Sequence, residues 1–196
     1  TALLTADTTN MQVVIGNGSD TITLSSSGIS FAGNARGTKQ IRLAAEYAGA
    51  VLDNGATGAN SGTMVSSLDL TNRMNFYRWS ASPATSQTYD IVTQVPIPQD
   101  FSAWAASNPL TITSRTSHTT DGVMTIELRD SSGTVRCNFT SLTMGSTNSW
   151  ITNNPTCLSA GTYTPGDYLT IRLRMSSKNS AQVDVGNIVL NYLSNK

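Results

Sequence analysis

Leu169-Thr170-Ile171-Arg172-Leu173-Arg174-Met175 alternates apolar and polar side chains without a break. A β-strand has a side-chain period of two, so one face receives Leu169, Ile171, Leu173 and Met175 and the other Thr170, Arg172 and Arg174. Downstream, Val183, Val185, Ile188, Leu190 and Tyr192 continue the pattern but change phase at Gly186, which predicts a β-bulge. Upstream, Met124, Ile126 and Leu128 alternate with Thr125, Glu127 and Arg129. Tyr89, Ile91, Thr93 and Val95 form another run, ended by Pro96 and Pro98, which remove ladder donors. Shorter strands are expected at Asn75 to Trp79, around Leu110 and Ile112, and after Cys137. Turn residues punctuate these runs and no βαβ rhythm interrupts them. The expected fold is therefore all-β: an antiparallel β-sandwich, jelly-roll-like, with an N-terminal β-strand extension. The length and the lack of a Cys…Trp…Cys spacing across the chain favour the jelly roll over an immunoglobulin-like sandwich.

Residues 1–37 read differently from the rest. Met11, Val13 and Ile15 alternate before Gly16-Asn17-Gly18, then Ile22 and Leu24 before a serine run, with few bulky side chains. Such a stretch builds no core alone. We assign 1–37 to a linking or donor-strand segment and 38–196 to the sandwich domain. Ala44 to Leu52 is the one helix-like stretch, and Gly49 shortens it.

Of the 196 residues only 12% are charged, against roughly 25% in average domains. Thr, Ser, Asn and Gly take their place, which suits pleated surfaces. The formal net charge is zero with no basic or acidic block. Nothing therefore calls for nucleic acid, and no apolar run is long enough to insert in a membrane. The start lacks the pattern of a signal peptide, and we expect it to follow a cleavage site or a longer upstream chain. Cys137 and Cys157 are the only cysteines. Set in turn-rich polar sequence, they read as one disulfide, worth roughly 3 kcal/mol, in an extracellular or cell-surface protein.

The motifs of catalysis are missing. His118 is the single histidine and lies by a turn; Glu46 and Glu127 are the only glutamates. A general base, a zinc site and a paired-carboxylate glycosidase site all lack their residues. No catalytic residue, cofactor or metal ligand is assigned, and the expected class is not an enzyme. Asp53, Asn54 and Asn60 share a Gly-rich loop that matches no calcium-loop spacing. Lys39 is the lysine best placed for an isopeptide bond. Glu127 and Arg129 suggest an ion pair across strands.

The aromatic residues say more. Trp79 fits the core. Trp104 could cap one end of the sandwich, and Trp150, between the cysteines, lies in the polar loop from Gly145 to Asn154. Trp150 and Trp104 are the candidate glycan contacts, the alternative for Trp150 being packing over the disulfide. Asn17 and Asn138 begin Asn-x-Ser/Thr sequons and are possible glycosylation sites.

Ile15-Gly16-Asn17-Gly18-Ser19-Asp20-Thr21-Ile22-Thr23-Leu24, Phe31 to Ile41, and Glu46-Tyr47-Ala48-Gly49-Ala50-Val51-Leu52 carry a resemblance. These stretches resemble uncharacterised β-rich domains of large secreted, fibre-like surface proteins of candidate-phyla bacteria. The resemblance implies a surface fibre or appendage and transfers no site residue. The expectation is then a structural subunit of an extracellular filament, joined to copies of itself through Met11, Val13, Ile15, Ile22 and Leu24. Donating such a strand to a neighbour's sheet would complete it through main-chain hydrogen bonds. The alternative is a glycan- or receptor-binding head module of a surface or phage-like fibre, with surface glycans as partners.

Overall fold

The computed structural model describes residues 3–54, 60–140, 142–146, 149–156, 158 and 163–196. Among them, sixteen strands form three sheets whose strands pair antiparallel, and there is no α-helix. Strands β1 (Leu3–Asp7), β2 (Gln12–Asn17), β3 (Asp20–Ser25) and β4 (Gly28–Ala32) make a four-stranded meander in chain order. The body is a β-sandwich of the jelly-roll kind. Its first sheet runs β14 (Ile151–Asn153), β11 (Leu110–Thr116), β16 (Gln182–Ser194), β8 (Met74–Ser80), β7 (Thr63–Asp69). Strands β5 (Gly37–Leu43) and β10 (Phe101–Trp104) also pair with β16. The second sheet runs β13 (Val135–Phe139), β12 (Gly122–Arg129), β15 (Tyr168–Ser177), β9 (Gln87–Pro96), β6 (Val51–Asp53).

The alternating runs face each other as expected. Leu169, Ile171, Leu173 and Met175 of β15 are fully buried, as are Met124, Ile126 and Leu128 of β12. The register sets Met124 beside Met175, Ile126 beside Leu173 and Leu128 beside Ile171, giving one continuous apolar layer. The opposing sheet contributes Val183, Val185, Ile188, Leu190, Leu110, Ile112 and Trp79. The phase change at Gly186 is a bulge: Val185 faces Ser114 and Ile188 faces Ile112, so β16 holds one residue more than β11 between those pairs. Tyr47 donates its hydroxyl to the Gly186 carbonyl at 2.6 Å. Burial, with Tyr77 alongside, pushes the Tyr47 phenol well up, so that donor stays protonated.

Two expectations are corrected and a third finds no support. The stretch from Ala44 to Leu52 is turn and short strand, not helix: Ala45 and Tyr47 are buried with Glu46 exposed between them, and Gly49 turns at φ 71. The ion pair of Arg129 with Glu127 (2.8 Å) lies within β12; the partner across strands is Arg172 at 3.7 Å. The third concerns donor-strand linkage. Val13 and Ile15 sit in β2, already paired with β1 and β3, and Ile22 and Leu24 sit in β3, paired with β2 and β4. Their ladder groups are engaged within the chain, which does not support donation of either strand. Met11 lies outside the strands, 78% exposed, with φ 50.

Meander and body meet where Phe31 N–H bonds the Asn195 carbonyl (3.0 Å). Nearby, Asp100 accepts from Lys39 (2.5 Å), Ser194 (2.6 Å) and Tyr192 (3.1 Å). Lys39, the isopeptide candidate, thus pairs with an aspartate. The Lys39 and Ser194 bonds hold the Asp100 carboxyl down at about 2.

Tyr47→Phe keeps the ring and deletes the donor to the bulge. It is expected to cost about 1–3 kcal/mol, read as a lower urea midpoint with an unchanged slope. An unchanged midpoint would show that the bulge does not depend on this bond.

Candidate functional site

Both outer faces of the sandwich carry arginine–carboxylate clusters, and they differ. On the seven-stranded sheet, Asp184 lies between Val183 and Val185 and so points outward, yet its side chain is only 1% exposed. Arg78 grips it with Nε and Nη2, both at 2.7 Å, and Arg115 Nε joins at 2.7 Å. Arg115 also reaches Asp69 through Nη1 at 3.1 Å. Trp150 lies beneath that guanidinium, 4.2 Å from ring centroid to Cζ, and donates Nε1–H to Asp69 at 2.8 Å. Phe76 meets Trp150 edge-on at 5.6 Å. Two arginines answer two aspartates, and the indole N–H is engaged. This is a closed cluster.

Trp150 is therefore partly buried and held by Asp69, Arg115 and Phe76 rather than standing free in a polar loop. Trp104 is 8% exposed, packed edge-on against Phe101 (4.8 Å) and Tyr163 (5.4 Å). It caps the core, and a buried ring offers no stacking face to a sugar. Cys137 is buried and is not a free thiol; Cys157 lies outside the described residues. Asn17 and Asn138 are both exposed. His118 stands at a turn, 63% exposed, near Asp121 at 3.8 Å. In the Gly-rich loop, the Asn60 amide bonds the Asn54 carbonyl, while its carbonyl accepts from Thr88 N–H at 3.3 Å.

Among the described residues, the outer face of the five-stranded sheet is open. Alternation that buries Ile171 and Leu173 turns Arg172 and Arg174 outward, and the register sets Arg172 beside Glu127 and Arg174 beside Thr125. Glu127 in turn faces Asn138. These five residues line a polar depression of about 150 Å³. Asp90, its side chain 6% exposed, lies beneath the arginines. It accepts from Arg172 Nε and from Arg174 Nε and Nη2, each at 2.8 Å. The arginine side chains nonetheless remain 32% and 42% exposed. Each guanidinium has five N–H donors. The bonds to Asp90 therefore fix the stems while leaving guanidinium edges toward solvent.

Arg129, Arg172 and Arg174 meet Asp90 and Glu127 here, and Asp53 stands opposite Asp90 in the register, so three cations face three carboxylates. Among the described residues, the depression has no aromatic in its lining. It can therefore recognise a ligand through planar, charge-assisted hydrogen bonds rather than stacking. Sequence reading placed Arg172 and Arg174 on a polar face but did not assign them a site. The available signal was the pair of arginines opposite a glutamate on the neighbouring alternating strand.

No protein-family model matches the chain, and no curated protein matches it. Several solved structures are similar over most of this chain's length. The chain is similar to the enzymatically active domain of tailspike protein 4 from bacteriophage CBA120, with TM-score 0.45 and 12% identity over 74% of this chain. It spans only 19% of that tailspike chain. A xylan-binding domain from Paenibacillus barcinonensis is similar at TM-score 0.40 and 12% identity, over 80% of this chain and 94% of that one. A structure described among carbohydrate-binding modules of the β-sandwich superfamily gives 0.40 and 11%, over 98% and 96%. No helix among the described residues is long and apolar enough to cross a membrane.

The Asp69 carboxyl is held well below the usual carboxylate range, first by the Trp150 hydrogen bond and then by Asn72. A lowered folded-state value stabilises above the unfolded value, about 3.9, and that stability is lost as pH falls through the folded value. The stability gap between wild type and Trp150→Phe should thus be constant from about pH 7 to 5 and narrow below about pH 4. Denaturant melts across that range check it; a gap that widens on acidification would contradict the assignment.

Proposed function

We propose that the chain is an extracellular glycan-binding module, taking acidic sugars on the open face of the five-stranded sheet. Arg172 and Arg174 supply the fork for a carboxylate or sulfate, while Glu127, Asn138 and Thr125 offer partners for neighbouring hydroxyls. The observation that carries this reading is Asp90 locking two half-exposed guanidiniums side by side on a rigid strand. Planar recognition of that kind suits an oxyanion. The depression is below the roughly 300–1,000 Å³ of pockets that enclose drug-sized ligands, so one sugar unit at a time would engage it. The filament reading by strand donation is less well supported, because β2 and β3 are paired on both sides. A glycan attached to Asn138 would lie across the depression, so modification and binding are competing uses of that asparagine.

The test is a glycan array of neutral, uronate, sialylated and sulfated sugars, followed by calorimetric titration of the strongest hit. Acidic sugars should be retained over neutral ones. Arg172→Ala and Arg174→Ala should each weaken binding by roughly tenfold or more. Trp150→Ala, on the opposite face, should leave it within about twofold. Retention of neutral sugars alone, or loss of binding in Trp150→Ala with Arg172→Ala unaffected, would overturn the proposal.

A further inference from the structure

The meander's register sorts its side chains onto two faces. Leu4, Ile15, Ile22 and Phe31 stand in one cross-strand row, and Ala6, Val13, Leu24 and Ile29 in the next row of the same face. The opposite face carries Thr5, Val14, Thr23 and Ser30, with Asp7, Gln12 and Ser25 beyond. Every large aliphatic side chain of the first face except Val13 and Ile22 is strongly exposed: Leu4 is 69% accessible, Ile29 54%, Ile15 45% and Leu24 40%. An apolar groove of about 420 Å³ past Ala6, Met11 and Val13 extends this surface at one end.

The face carries no Lys or Arg; Asp20 at its margin is engaged by Asn34 N–H (2.8 Å) and Nδ2 (3.1 Å), and Asp7, which also lines the groove, by Thr9 N–H (2.9 Å) and Asn10 N–H (3.0 Å). An uncharged apolar sheet is complemented by another uncharged apolar surface; a charged partner would lose hydration for no return. Five residues by four strands measures roughly 17 Å by 19 Å. Two such faces present roughly 650 Å² in plan, and more once their side chains interdigitate, which is the scale of a weak, concentration-dependent interface. Sheets stack face to face at about 10 Å with this kind of two-row interdigitation.

We propose that this face is covered by the same face of a second copy of the chain, the two meanders stacking about a twofold axis into a two-layer sandwich. The contact is isologous, so it closes rather than propagates. It uses no strand edge and is independent of the glycan-binding reading.

The experiment is sedimentation velocity on the full chain from about 1 to 100 μM. The test variant is Leu4→Lys with Ile29→Lys, whose side chains are already in water in the single chain, so the sheet itself tolerates them. Thr5→Lys with Ser30→Lys places the same charge on the opposite face as a control. Wild type and control should self-associate, and the test variant should weaken association by roughly a hundredfold, with the near-ultraviolet circular dichroism of the body unchanged in all three. A wild type that stays monomeric throughout would overturn the proposal. So would an assembly that survives Leu4→Lys with Ile29→Lys, or one that the control disrupts equally.

Discussion

Strand β16 must hold apolar side chains in the core over thirteen residues while bonding different neighbours along its two halves. Its first half pairs with β8, its second with β5, and on the other side β11 and then β10 take over. A regular strand would turn either Val183 and Val185 or Ile188 and Leu190 out to solvent. The inserted residue at Gly186 corrects the phase; a Cβ there would come within 2.6 Å of Met74 Sδ, so a larger residue would require that methionine to move. The first sheet is assembled around this strand, and the second sheet packs against the layer it completes.

The two outer surfaces show what the same chemistry does at different degrees of closure. Asp184 and Asp90 are both nearly buried aspartates gripped by two arginines. Around Asp184, an indole and a phenyl ring cover the guanidiniums and a second aspartate engages Arg115. Among the described residues no ring lines the depression at Arg172 and Arg174, although Glu127 answers Arg172 at 3.7 Å. A buried ion pair adds little net stability once its desolvation is counted, so the first cluster is best understood as specifying how β7, β8, β11 and β16 dock. The second has the same anchoring with its outward edge exposed.

The sandwich was legible because alternation is a local property. Leu169 to Met175 and the phase shift at Gly186 needed no knowledge of partners. Pairing was not legible, because side-chain period says nothing of which strand lies alongside. The N-terminal strands were recognised, but that they pair with one another was not, for that reason. Ala44 to Leu52 misled through alanine content; only the body around them shows that Ala45 and Tyr47 are inward residues of an extended segment. Trp150 and Trp104 were judged by their local sequence, but their surroundings come from Asp69, Arg115 and Tyr163, far away along the chain. The open cluster was hidden in the same way: Asp90 is separated from Arg172 and Arg174 by 82 and 84 residues.

The position of Asp90 has a further consequence. A free arginine side chain loses about 2 kcal/mol of rotamer entropy when it is immobilised. By gripping both Nε atoms from below, Asp90 transfers most of that loss to the folding of the sheet. A ligand arriving at the depression meets groups whose orientation is already set, and even a small contact on an open surface can then hold it.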